Sequence, residues 1–466
     1  MSTEAQFDTT RYRLVITRRK ASEILLSRKP FGASLPQVEV RSGARLAGQL
    51  IAQVRCDYHL ETYCLMGKEA SALPQVPSAR YAVLEALDPD DEAPRSTTWT
   101  PFRGCLSSET LSPADRLAIS TSLEELDGCV SHPARGPFAR PGWIGELFGW
   151  LEEVMRPFGL RATGNFEQRN ASPTFSLLRI ETNRSAVWFK ATGEPNTREL
   201  PISVALDRLF PNCVPRILGV HPNWNAWLCD EAPGQTLDNF RGVRAWAIAA
   251  TSLAKLQIAS IPKTNILLEA GCQDLRLHQL EARIEPFLRR AGDLMSLQAK
   301  EPPKVLRDPE LRFLGDCLKA AFSELAKHPM PGALGHLDCN PGNIVVSDCA
   351  CCFLDWAEAS VTHPFLTFAY FAEHARRNLP GPDALADALA SAYLRPWQSF
   401  FSPETLAQAL AYSPLVAVFG YAVASKKWSS PEATQNRALA GFFRGLARRA
   451  YREAAQIGTR RELCRA

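Results

Sequence analysis

The stretch from Gly335 to Trp356 constrains this chain more than any other. It reads G-H-L-D-C-N-P-G-N-I-V-V, then S-D-C-A-C-C, then F-L-D-W. Ile344 to Val346 is a short β-branched run, Ser347 and Asp348 are turn formers, and Cys351 to Leu354 is an apolar return strand ending at Asp355. The spacing predicts a hairpin, with Asp338 and Asn343 on the loop before it and Asp355 just after it. Three polar side chains are thereby brought to one edge of a sheet. The bland alternative makes Asp338 and Asn343 turn residues and Asp355 a strand cap. A spaced polar set with a hairpin inside it rarely arises that way.

Such a set meets the needs of phosphoryl transfer. An acceptor hydroxyl must be oriented and relieved of a proton, which suits a carboxylate. A triphosphate needs Mg²⁺, a hard ion that prefers carboxylate and amide oxygens. Asp338 fits the first role; Asn343 and Asp355 fit the second. The pattern H-x-D-x-x-x-x-N from His336 has the spacing of a kinase catalytic loop.

With Asp355-Trp356 following, His336 to Asn343 resembles the aminoglycoside phosphotransferase and choline kinase family, which commonly writes H-G-D-x-x-P-x-N and then D-[WF]. Leu337 stands where that family has Gly, a departure in the backbone turn. The resemblance covers about Trp143 to Arg449. It implies a two-lobed protein-kinase-like α+β fold, with a small β-rich lobe before a mainly helical one. It also implies His336 and Asp338 as catalytic residues, Asn343 and Asp355 as Mg²⁺ ligands, ATP as donor, and a small hydroxylated molecule as substrate.

Upstream residues fit the same plan. Leu177 to Glu181 and Ala186 to Lys190 form two strands around Thr182-Asn183-Arg184-Ser185, and a helical stretch after the turn at Thr192 to Pro195 contains Glu199. By resemblance, Lys190 is the phosphate lysine and Glu199 its partner; Glu194, in the turn, is the alternative. Taken singly, each would be a snorkelling strand-end lysine or a solvated helix glutamate. Arg169 to Ser176 occupies the place of a kinase glycine loop without any glycine, leaving the hydroxyls of Ser172, Thr174 or Ser176 and backbone N–H groups for phosphate. Ala226 to Cys229 reads as a strand. By alignment with the family, Asp230, Glu231 and Ala232 are the hinge whose backbone meets adenine.

Ser131 to Gly142 holds three Pro and two Gly in twelve residues. It has neither helical nor strand periodicity, which predicts a linker over 131–142 between a front domain, 1–130, and a kinase domain, 143–466. Few covering contacts are expected, so a chain starting near Pro137 should keep its fold. The front part reads as mixed α/β: strands at Tyr12 to Thr17, Glu23 to Ser27 and Tyr81 to Glu85, and a helix from Leu46 to Val54. This order resembles the Nudix fold, whose metal helix carries R-E-x-x-E-E-x-G. At Ala52 to His59 only Asp57 remains of the carboxylates and His59 replaces the glycine, so hydrolysis is not expected.

Composition excludes more than it selects. At 466 residues, two or three domains are expected, and 46% apolar with 22% charged residues is ordinary for a globular protein. A net charge of +4 gives no reason to invoke nucleic acid or an anionic membrane. No apolar run precedes Lys20, so no secretory signal is read. The uncharged stretch Thr405 to Ser425 predicts two buried helices broken at Pro414 rather than a span. Thirteen scattered cysteines, including Cys349, Cys351 and Cys352, read as thiols of a reducing cytoplasm. Gly441 to Ala466 carries seven Arg and two Glu and reads as a solvated amphipathic terminal helix; it disfavours a polycationic substrate without excluding one. A sugar, amino alcohol, antibiotic or nucleoside remains open as acceptor. A pseudokinase, binding nucleotide without turnover, is the alternative function.

Overall fold

The computed structural model describes residues 9–41, 45–67, 80–130, 136–348, 350–379 and 382–463. They form two compact units. One takes the described residues up to Leu200 together with Arg216–Glu231; the other takes Pro201–Pro215 and the chain from Ala232 onward.

The first unit holds two sheets. The front sheet is mixed, in the order Gly32–Ser34, Glu23–Lys29, Thr9–Arg18, Arg80–Ala86, Thr62–Gly67, with Gln37–Arg41 added on Thr9–Arg18 and Thr97–Pro101 on Glu23–Lys29. Thr9–Arg18 and Arg80–Ala86 run parallel, with Val15 opposite Val83. Alternating side chains of the central strand serve two cores. Leu14 and Ile16 pack with Ala47, Leu50 and Val54 of the helix Leu46–Tyr58. Val15 points the other way, into a cluster with Ala118, Ile119 and Leu126 of the helix Pro113–Val130. Both faces are covered, which is why the strand is apolar from Leu14 to Ile16.

The second sheet is antiparallel, in the order Ile217–Val220, Ala226–Asp230, Val187–Thr192, Phe175–Thr182, Ala162–Ser172. Its Leu178, Ile180, Val187, Phe189 and Leu228 belong to the same hydrophobic cluster as Val15, Tyr63 and Leu65 of the front sheet. The helix Trp143–Met155 supplies Trp143, Leu147, Leu151 and Met155 to it. The units therefore do not part at 131–142. Residues 131–135 lie outside the described residues; Pro137–Ala139 is a turn of 3₁₀ helix whose Phe138 is buried edge-on against Trp143, ring centres 5.3 Å apart. Proline and glycine there mark a tight turn, and a tight turn can be buried as well as exposed.

The second unit is mainly helical, with long helices at Val243–Ser260, Asp308–Lys327, Pro364–Asn378, Pro382–Trp397, Pro403–Ala424 and Arg437–Leu463. Two three-stranded sheets join them: Gln235–Thr236 with the hairpin Ile344–Val346/Cys351–Phe353, and Gln273–Leu275 with Ala359–Thr362 and Ala333–His336. The apolar stretch is one continuous helix, not two: Pro414 sits inside Pro403–Ala424. Proline removes one N–H, and the Ser413 hydroxyl donates to the Ala409 carbonyl in the same turn. By length and composition this helix could cross a membrane, but most of its residues are buried within the unit.

Candidate active site

In the second unit the strand Ala333–His336 is fully buried and pairs antiparallel with Ala359–Thr362. A Cβ on Gly335 would lie 2.5 Å from Thr362 Cγ2 and 2.8 Å from Ser360 Oγ, so only glycine lets the strands close here. The His336 backbone N–H donates to Thr367 Oγ1 (3.1 Å), and its ring Nε2 donates to the Leu354 carbonyl (2.8 Å). Trp356 packs on the imidazole, ring centres 4.5 Å apart. His336 thus pins the end of one strand to the residue before Asp355. It positions the site.

The loop after His336 folds around Asp338. Asn340 Nδ2 donates to Asp338 Oδ1 (2.9 Å), and Asn343 Nδ2 to Asp338 Oδ2 (2.9 Å) and to its carbonyl (3.1 Å). Asn340 Oδ1 accepts from Gly342 N–H (2.9 Å), capping the 3₁₀ turn Pro341–Asn343. Both carboxylate oxygens are thereby oriented, yet each keeps a lone pair. Cys339, one residue on, points into the core, where burial pushes its thiol pKa up. The hairpin then pairs Ile344 with Phe353 and Val346 with Cys351, and Leu354 N–H donates to the Asn343 carbonyl (2.8 Å). That bond brings Asp355 back beside Asn343. Cys351 and Cys352 are buried strand residues, and Cys349 lies outside the described residues.

Asp355 is exposed and adopts a left-handed backbone, φ +61°. For a residue with a Cβ this costs on the order of 1–2 kcal/mol. The loop and the end of the hairpin carry an amide oxygen at Asn343, whose NH₂ is spent on Asp338, and carboxylates at Asp338 and Asp355. That is an all-oxygen donor set suited to Mg²⁺.

In the first unit Lys190 lies in the strand Val187–Thr192, and Glu199 opens the helix Glu199–Leu209. Their side chains form an ion pair, with Glu199 buried and Lys190 nearly so. Lys190 Nζ also lies 5.9 Å from the ring centres of both Phe175 and Trp227. Glu194, the alternative partner, is exposed in the preceding turn.

Two sequence expectations change here. The supposed loop is mostly strand, since Ala162–Ser172 and Phe175–Thr182 pair up to a two-residue turn. Ser172 Oγ is held within that turn, accepting from Thr174 N–H (3.3 Å), and Ser176 is buried, so neither hydroxyl is presented there. At the hinge, side chains and N–H groups of Asp230 and Glu231 are committed inside the sheet. Asp230 accepts from Arg216 Nε (2.8 Å) and its N–H donates to the Arg216 carbonyl (2.9 Å). Glu231 is clasped by Arg179 (2.6 and 3.0 Å) and Trp188 (3.2 Å), and its N–H reaches the Ala186 carbonyl (3.3 Å). The Arg179 hydrogen bonds hold the Glu231 carboxyl below its ordinary range. Ala232, next in the chain, precedes Pro233, which has no N–H.

Sequence reasoning missed the residues around Asp338 from later helices. Tyr370 and Tyr421 stack with ring centres 5.4 Å apart, and both line a small cavity with His336 and Leu337. No motif announces them, because Tyr370 and Tyr421 follow Asp338 by 32 and 83 residues in sequence.

Residues 224–407, which include this loop and hairpin, match the model of the phosphotransferase enzyme family. Solved structures similar to the chain include a macrolide 2′-phosphotransferase from Brachybacterium faecium, at 16% identity and TM-score 0.45 over 65% of this chain and 98% of that one. They also include a choline kinase from Cryptosporidium parvum, at 12% identity and TM-score 0.47 over 68% and 96%. A third is an ethanolamine kinase from Plasmodium vivax, at 14% identity and TM-score 0.45 over 72% and 94%. No curated protein matches the sequence. The antiparallel sheet with its Lys190–Glu199 pair, and the helical unit with its Asp338 loop, are the parts of a protein-kinase-like α+β fold, and residues 224–407 are similar to the phosphotransferase enzyme family.

Proposed function

We propose that this chain is an ATP-dependent O-phosphotransferase acting on a small hydroxylated molecule in the cytoplasm. The observation that carries the reading is the Asp338 carboxylate, oriented by Asn340 and Asn343 within a loop of kinase spacing. Asp338 takes the proton of the acceptor hydroxyl as its oxygen bonds to the γ-phosphorus and the bond from that phosphorus to the ADP oxygen breaks. Asn343 and Asp355 would hold Mg²⁺, which when bound offsets charge on the phosphates. Lys190, aimed by Glu199, serves the α- and β-phosphates. Of the three hinge residues, Ala232 is the one whose N–H is left for the purine, because those of Asp230 and Glu231 are already used.

The test is ADP release and ³¹P NMR of the product with purified full chain, MgATP and a panel of hydroxylated metabolites. Asp338→Asn should lower kcat by on the order of 10²-fold or more while leaving nucleotide affinity within about twofold. Nucleotide binding that ignores Mg²⁺, with no phosphorylated product from any acceptor, would replace this reading with that of a pseudokinase.

A further inference from the structure

The helices that follow Asp338 build a wall whose chemistry selects among acceptors. Tyr370 stacks on Tyr421 and meets His374 edge-on, with ring centres 5.4 and 4.9 Å apart. Tyr421 continues to Phe442 (6.4 Å), which is 48% exposed and so presents a large apolar ring to solvent. The cavity joining the tyrosines to His336 and Leu337 is about 10 Å³, room for one water. An acceptor therefore lies against the rings rather than behind them.

The far end of the wall is basic. Glu373 is the common partner of three guanidiniums: Arg376, Arg377 (2.6 Å) and Arg449 (3.8 Å). Three cations on one carboxylate leave a surplus of two positive charges, carried on Arg376 and Arg377, which are largely exposed, and on Arg449 from the last helix. At the near end lie Asp338 and the exposed Glu358. His374, against Tyr370 and next to Glu373 on the same helix, lies between the ends. Burial, Arg377 and Arg449 lower its pKa, while Asp338 and Glu373 oppose them. Burial raises both tyrosines, and Asp338 raises them further.

We infer that the acceptor is a hydroxylated ring compound whose end remote from the reacting hydroxyl is neutral or anionic, stacked on Tyr370 and Tyr421 and met by the arginines around Glu373. This rests on Asp338 receiving the acceptor's proton. A flat ring matches the aromatic faces. A polycation would bring its charge against the arginine cluster, where like charges repel.

The experiment measures binding directly, by ligand-observed NMR on the full chain, so that it does not depend on turnover. The probes are para-(hydroxymethyl)benzoate, benzyl alcohol, para-(aminomethyl)benzyl alcohol and kanamycin, with MgATP binding measured separately. The carboxylate should bind about tenfold tighter than the amine. Arg449→Glu and, at an exposed position, Arg376→Gln should each shrink that ratio. Tyr421→Ala should weaken every ring probe about tenfold. Equal or tighter binding of the amine or of kanamycin overturns the inference, as does failure of all ring probes to bind a protein that binds MgATP. If the charge preference holds and MgATP does not bind, the ring site stands and the phosphotransferase reading falls.

Discussion

Gln168 offers a sharp test of how the first unit holds together. It sits in the strand Ala162–Ser172, is 2% exposed, and turns its amide onto the backbone of Cys64 in the front sheet. Its Oε1 accepts from Cys64 N–H (2.8 Å) and its Nε2 donates to the Cys64 carbonyl (3.0 Å). Thr62–Gly67 is the last strand of that sheet, so one side chain replaces a missing neighbour strand. Gln168→Leu keeps the volume and removes both bonds. Each is worth about 1 kcal/mol net, and each buried backbone group left unpaired costs about 1–3 kcal/mol. Partial relaxation makes about 3 kcal/mol a reasonable total. For a unit of this size, at about 2–4 °C per kcal/mol, the melting temperature should fall by roughly 6–12 °C. Gln168→Glu should be at least as damaging, since it aims a carboxylate at the Cys64 carbonyl. Scanning calorimetry gives the shift, and hydrogen exchange at the Cys64 amide locates it. A fall below about 2 °C with Cys64 still protected would refute the reasoning.

Asp355→Ala should abolish Mg²⁺-dependent strengthening of ATP binding, read by calorimetry with and without Mg²⁺; unchanged metal dependence would remove Asp355 from the metal site. Glu85 is buried beneath the turn at Gly142, accepting from Gly142 N–H (2.7 Å) and from Tyr63, and burial raises its pKa above the ordinary carboxylate range. A raised carboxyl favours the folded state below its unfolded pKa, and that contribution fades as pH rises through the folded one. Glu85→Gln should therefore flatten the pH dependence of unfolding from the ordinary carboxylate range upward, and an unaltered profile would exclude Glu85 as its source. A chain starting at Pro137 should be recovered in aggregates or bind a hydrophobic dye, because it exposes the face of Trp143 that Tyr63 covers; a soluble chain melting like the full protein would show that the shared core is dispensable.

What was legible in the sequence was local. The hairpin at Ile344–Val346 and Cys351–Phe353 is marked by β-branched and apolar runs around a turn, so the order of Asp338 and Asn343 before it and Asp355 after it could be read from spacing. Lys190 and Glu199 are nine residues apart, strand end to helix start, and pair as that order suggests. The left-handed backbone of Asp355 was invisible, since aspartate tolerates but does not announce that conformation. Pro414 misled because a proline deep in a packed helix is held in place by its buried neighbours, Ser413 and Leu415 among them. The proline- and glycine-rich stretch 131–142 misled for a related reason. Composition reports the lack of regular structure, whereas burial depends on Tyr63, Phe189 and other residues far away in the chain.

Those distant residues give the front segment a physical tie to Lys190. Trp143 is completely buried between the two sheets, its ring centre 6.1 Å from Tyr63 of the front sheet and 6.4 Å from Phe189 of the other. Phe138 lies 6.3 Å from the same Phe189. Successive strand residues face opposite sides. Phe189 is thus fastened on one face by groups that the front segment supports, and Lys190 is presented on the other, opposite Leu177 and Trp227 in register. The helix Leu46–Tyr58 belongs to the same scaffold. It buries Ala47, Leu50 and Val54 inward, and Gly48 lets it approach the Gln168 carbonyl so closely that a Cβ there would sit 3.3 Å away. His59 ends that helix in a left-handed conformation, φ +52°, with its N–H on the Arg55 carbonyl (3.1 Å). Asp57 there accepts from Gln53 (2.9 Å), a bond within one turn of the helix. Through this packing the front segment fixes the strand from which Lys190 reaches out.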